Sequence, residues 1–172
     1  MGAVSHDEAG DKADQDVPWL SRDQLDQWMP LMAMLTTVPA ALEAQLKRDA
    51  GLNLFEYQVL VQLSEAPGGA VPMSDLALMA QGSLSRLSHA VGRLERAGYV
   101  RRTACREEGR RTAATLTRAG RAKIERSAPG HVREARRLVV DALTPEQLAA
   151  LGDAARAVVA AVSPDIAARI TR

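Results

Sequence analysis

A mainly α-helical fold carrying one small β-hairpin is predicted, on three observations. Apolar residues recur at three- and four-residue steps over most of the chain, with cap residues ahead of the runs. Aromatics make up only 3% of the 172 residues, so a core has to be filled with Leu, Val, Ala and Met, which favours helices. The stretch from Tyr99 to Leu116 departs from this spacing, with β-branched and aromatic residues flanking a charged turn that contains Gly.

Composition narrows the function classes. With 47% hydrophobic and 25% charged residues the chain is an ordinary globular one. No apolar run approaches the ~20 residues of a membrane helix, and the acidic start lacks the basic-then-apolar order of a secretory signal, so a cytoplasmic protein without a membrane partner is expected. A single cysteine, Cys105, can form neither an internal disulfide nor a Cys-rich zinc site, and His6, His89 and His131 are scattered. No metal and no cofactor are expected. The chain has no GxSxG, HExxH, Walker or GxGxxG motif and no Cys/His pair at usable spacing, which leaves an enzyme without machinery.

Residues 1–17 are acidic, lack periodicity and read as a disordered tail. From Leu25 the apolar positions Trp28, Met32, Leu35, Leu42 and Leu46 mark a long amphipathic helix, interrupted by Pro30 and Pro39, with a kink expected near Pro39. After Gly51, Asn53 caps the next helix with Glu56 as capping-box partner, and Phe55, Val59, Leu60 and Leu63 form its buried stripe. Ser74 is expected to cap a short helix, and Gln81-Gly82-Ser83 is a tight break before another. In that second helix Leu87, Ala90, Val91 and Leu94 share one face, opposite Ser85, Arg86, Ser88, His89 and Arg93. Two helices joined by a short Gly-containing turn, the second with a polar and basic outer face, form a helix-turn-helix. Gly98 ends it, the hairpin follows with Arg110 and Arg111 at its tip, and Thr117 caps a helix broken or bent at Pro129-Gly130. Thr144 and Pro145 start the last helix, with Leu148, Leu151, Ala155, Val158 and Val162 as its stripe.

Charge concentrates where this motif lies. Residues 81–126 hold twelve basic and four acidic residues, a net of +8, whereas residues 1–80 are net acidic and the whole chain is only +1. Clustered arginine is the footprint of a polyanion binder. A helix-turn-helix followed by a basic hairpin is a winged helix-turn-helix. Its second helix fits a major groove, where Ser, His and Arg side chains meet base edges, with Arg86, His89 and Arg93 expected at bases or phosphates, and a tip arginine reaches the adjacent minor groove. Ser83 and Ser85, at a helix N-terminus, suit a phosphate. Arg93 completes the basic face.

Leu76-Ala77, Ser83, the run Arg93-Leu94-Glu95-Arg96-Ala97-Gly98-Tyr99-Val100 and Leu116-Thr117-Arg118-Ala119-Gly120 together resemble the MarR family of bacterial transcriptional regulators, over roughly residues 20–162. Where that family usually carries Asp-x-Arg in its wing, this chain has Glu108-Gly109-Arg110, so the resemblance gives Arg110 the minor-groove role. It further implies a homodimer, triangular in outline, with interlocked terminal helices and recognition helices about one DNA turn, ~34 Å, apart over a pseudo-palindrome. It implies an effector cleft between arm and lobe, for which Trp28 and Met32 are the candidate lining and a small phenolic or aromatic molecule the candidate ligand. The organisation expected is a tail (1–17), an N-terminal dimerisation helix (18–50), a DNA-binding lobe (51–117) and C-terminal dimerisation helices (118–165). The expected function is a ligand-responsive repressor of double-stranded DNA targets. The alternative is a winged-helix interaction module without DNA binding, which would call for an acidic or apolar recognition face.

Overall fold

The computed structural model describes residues 17–67, 69–104 and 112–170. The chain divides into two compact units, Met1–Thr37 and Val38–Arg172. The long helix α1, Arg22–Ala50, supplies residues to both.

In the first unit, Ser21 and Gln24 cap the start of α1 reciprocally: the Ser21 N–H donates to Gln24 Oε1 at 2.8 Å and the Gln24 N–H to Ser21 Oγ at 3.2 Å. The stripe read from the sequence is helical, but Trp28, Met29 and Leu35 stand exposed in the single chain. The helix is continuous through Pro30 and Pro39.

The second unit is built on α2 (Leu54–Glu65), β1 (Ala70–Pro72), α3 (Met73–Met79), α4 (Leu84–Arg96), β2 (Val100–Ala104), β3 (Thr112–Leu116) and α5 (Arg118–Ala135). A π-helical turn follows (Arg136–Val140), then α6 (Pro145–Val162) and α7 (Pro164–Ile170). The core is mainly aliphatic, with Phe55 and Tyr57 its buried aromatics among the described residues. Leu46, Leu60, Leu63, Leu76, Leu87 and Leu94, with Val59, Val91 and Val100, are its largest fully buried side chains. Leu87, Ala90, Val91 and Leu94 face inward from α4 as their spacing predicts.

The hairpin is real and belongs to a three-stranded antiparallel sheet of order β1-β3-β2. Val100 pairs with Leu116 and Ala104 with Thr112, while Val71 of β1 pairs with Ala114. Strand β1 was not foreseen. Three residues ending in Pro72 carry no periodicity, and their partner lies more than forty residues downstream.

Two local expectations are corrected. Ser74 does not cap α3: Pro72 occupies the cap position, and the Ser74 hydroxyl donates instead to Asp75 Oδ1 at 3.1 Å. Pro72 has φ −54°, the value its ring favours, so the chain enters the helix without a side-chain cap. Nor is α5 broken at Pro129-Gly130; it is one helix through both. Gly130 serves packing, since a Cβ there would lie 3.1 Å from Gln45 Nε2 of α1. Thr117 and Thr144 cap α5 and α6 as predicted, Thr144 with a full capping box through Gln147. Among the described residues no helix is long and apolar enough to cross a membrane.

Candidate nucleic-acid interface

Helix α4 begins at Ser83, whose Oγ accepts the Arg86 N–H at 3.1 Å, an N-cap that satisfies one otherwise unpaired donor. The turn before it is tight. Gln81 adopts φ +53°, and a Cβ on Gly82 would lie 2.6 Å from the Phe55 ring, so only glycine lets the turn rest on α2. Successive turns of α4 then bring Ser85, His89 and Arg96, with Gly92 among them, onto the face opposite the core; all but the half-buried Gly92 are exposed.

The flanks of that face differ. On the α2 side the Arg86 guanidinium lies over the Phe55 ring, 4.2 Å from its centroid, a cation–π contact that fixes its stem. Two turns on, Arg93 Nε donates to Glu56 Oε1 at 2.5 Å. Glu56 is buried and also accepts the Asn53 N–H at 2.9 Å, so the α2 cap and α4 share one carboxylate. On the sheet side, Arg102 Nη2 donates to the Ser88 carbonyl at 2.8 Å, and the Arg102 N–H donates to Glu95 Oε1 at 3.0 Å. Strand β2 is thereby tied to α4 at two points. A cleft of about 500 Å³ opens there, lined by Met73, Ser74, Leu84, Ser88, Arg102 and Thr112.

The structure therefore brings Ser83, Ser85, Arg86, Ser88, His89 and Arg93 onto one helix, with Ser85 and His89 facing outward and the arginines on its α2 flank. Arg110 and Arg111 lie outside the described residues. Two contributors escaped the sequence reading. Sequence spacing marks Glu56 only as a capping residue and gives Arg102 no place in the site. An acidic residue seven positions before Arg102 was the signal that Glu95 and Arg102 pair.

A second cleft, about 330 Å³, lies where Pro39 and Leu42 of α1 meet Leu54, Tyr57, Gln58, Val61 and Gln62 of α2 and His131 of α5. The Tyr57 and His131 rings are 4.5 Å apart. His131 Nδ1 is buried without a hydrogen-bond partner among the described residues. Burial holds its pKa below 6.5 and raises that of Tyr57. The unfolded chain therefore takes up a proton on this histidine before the folded one does, so stability is expected to fall as pH drops below the ordinary histidine pKa. His131→Leu should flatten that part of a Tm-against-pH curve; an unchanged slope would show that another group is responsible. Trp28 and Met32 stand exposed on the first unit.

Comparison with known proteins places this architecture. The MarR family model matches residues 50–111. No curated protein matches the chain. Among solved structures, a MarR family transcriptional regulator from Streptomyces coelicolor in complex with DNA is similar at 41% identity and TM-score 0.83, over 87% of this chain and 94% of that one. AbsC, a MarR family transcriptional regulator from the same organism, is similar at 34% identity and TM-score 0.81, over 87% of this chain and 100% of that one. A probable transcriptional regulator from Pseudomonas aeruginosa is similar at 25% identity and TM-score 0.65, over 77% and 98% of the two chains. With the winged sheet, the capped recognition helix and these likenesses together, the chain belongs to the MarR family of transcriptional regulators.

Proposed function

We propose that this protein is a cytoplasmic DNA-binding regulator that acts as a homodimer on a pseudo-palindromic duplex, and that a small ligand releases it as a repressor. The observation that carries the reading is the outer face of α4: short polar side chains at Ser85, Ser88 and His89, flanked by Arg86 and Arg93 on one side and Arg102 of the sheet on the other. Short groups in the centre suit base edges and cations at the margins suit phosphates. Arg110 and Arg111 are proposed for the minor groove. The DNA complex of the 41%-identical relative supports the same use of the fold. An interaction module would need an acidic or apolar face here, and this one is basic.

The dimer reading rests on apolar surface without a partner in the single chain. Trp28, Met29 and Leu35 of α1 and Val158 and Val162 of α6 are exposed, and α6 contributes no buried residue. On this reading residues 18–50 and 118–165 form the intersubunit core and residues 51–117 the DNA-binding lobe. The ligand-responsive element is proposed to include the His131 cleft. Its walls are mostly apolar, and the Tyr57 and His131 side chains that line it suit an aromatic effector. Trp28 and Met32 are retained as separate candidates for contacting an effector.

A duplex selected by the protein from a random-sequence pool tests the reading by fluorescence anisotropy. Binding is expected to be specific and to weaken steeply with salt, because phosphate contacts release counterions. Failure to enrich any sequence, or a flat dependence of affinity on salt, would overturn it. Light scattering is expected to give twice the chain mass, and a monomer at micromolar concentration would remove the dimer.

A further inference from the structure

Several of the glycines have a reason inside the molecule. Gly51, Gly69 and Gly98 have positive φ, and Gly82 and Gly120 lie against atoms that a Cβ would strike. Gly92 has neither reason. Its φ is not positive, and a Cβ built on it would meet only Arg102 Nη2, at the ordinary contact distance of 3.8 Å. Yet it sits inside the 13-residue helix α4, where glycine weakens a helix relative to alanine. Gly152 on α6 is equally unconstrained but lies outside the basic face.

Position supplies the missing reason. Gly92 follows Ser85 by seven residues and His89 by three, which sets it on the outer face of α4, opposite Leu87 and Leu94. The groups at the centre of that face are short. Serine and histidine reach base edges only if the helix axis lies deep in the groove, and a side chain between them and Arg96 would hold the helix off. We infer that Gly92 is the point of closest approach between α4 and DNA, a position without a side chain, half-buried beside Arg102 and with its carbonyl accepting from Arg96 Nε at 3.3 Å, that lets Ser85 and His89 touch bases. This rests on the DNA-binding reading above. Arg102, beside the same spot, borders the gap on the sheet side.

The test separates close approach from a role in the fold, because the two predict opposite signs for stability. Gly92→Ala and Gly92→Gln are compared with wild type by thermal melting and by anisotropy on the duplex that wild type selects. Both variants should melt above wild type, Gly92→Ala by about 2–4 °C, through better helix propensity. Affinity for the selected duplex should fall about tenfold for Ala and about a hundredfold for Gln, while affinity for an unrelated duplex is unchanged because phosphate contacts remain. Higher Tm with undiminished specific affinity overturns the inference and leaves the DNA-binding reading standing. Lower Tm also overturns it, by showing that the fold itself needs glycine there. Failure of wild type to select any duplex overturns the reading, and the inference with it.

Discussion

Gly120→Ala is expected to destabilise the protein by about 3 kcal/mol and lower its Tm by roughly 6–12 °C, although alanine is the better helix former. Gly120 lies in the first turn of α5, where its N–H donates to the capping Thr117 Oγ1 at 3.0 Å. Immediately beside it passes the chain leaving α4. The Thr117 N–H donates to the Tyr99 carbonyl at 3.0 Å, and the Thr117 hydroxyl donates to the Gly98 carbonyl at 2.7 Å. A Cβ on residue 120 would lie 2.1 Å from the Tyr99 oxygen and 2.7 Å from Leu116 Cδ1. An ordinary carbon–oxygen contact is about an ångström longer than the first of these, so backbone has to move. The movement breaks the bond from Thr117 and separates the base of the winged sheet from α5. Gly51→Ala is the control. Gly51 has φ +62° but nothing within 4 Å, so only conformational strain of about 1–2 kcal/mol is at stake there. Equal losses at the two positions in denaturant titrations would show that the Tyr99–Thr117 junction yields freely.

That junction also shows what the sequence could disclose. Leu116-Thr117-Arg118-Ala119-Gly120 carries the family resemblance, and Thr117 was readable as a cap because capping is settled within three residues. The same holds for Asn53 with Glu56, Ser83 with Arg86, and Thr144 with Gln147. The inward face of α4 was readable because a 3.6-residue period is local too. Contacts closed over long stretches of chain were not. Strand β1 exists only because β3 offers a free edge, with Ala70 opposite Thr115. The bond between Arg93 and Glu56 spans 37 residues, and nothing in either neighbourhood announces the other. Pro129-Gly130 resembled a break because helix rules price the proline and glycine alone, while the Gln45 side chain lying against Gly130 is tertiary. In the candidate interface, composition and spacing marked the helix. Which arginine is tethered and which is free needed coordinates.

This distinction between tethered and free arginines sets the second large effect. Arg86 and Arg93 lie on the same flank of α4, and by sequence they are equivalent. In the structure, Arg86 rests on the Phe55 ring, and among the described residues no carboxylate lies within ion-pair distance of its guanidinium. Its charge is available to a phosphate while its stem is already held, which reduces the entropy lost on contact. Arg93 is bound to Glu56, whose side chain is 9% exposed while that of Arg93 is 48% exposed. A phosphate would have to compete with that carboxylate. Arg86→Ala is therefore expected to weaken binding to the selected duplex about a hundredfold, a tenfold loss in each half-site of a twofold dimer. The slope of log affinity against log salt should become shallower by about two, since each lost phosphate contact accounts for ~0.9. Tm should scarcely change, because an exposed cation–π contact contributes only about 0.5–1 kcal/mol. Arg93→Ala should do the reverse. It frees a carboxylate that among the described residues then keeps only its bond to the Asn53 N–H, and stability should fall by about 1–2 kcal/mol, after discounting for the half-exposed guanidinium. The salt slope should shift by less than for Arg86→Ala. Anisotropy titrations of both variants across a salt series, with melting curves alongside, decide the matter. Equal changes in slope would mean that Glu56 does not occupy Arg93 when DNA is bound, and the division of labour along this helix would have to be redrawn.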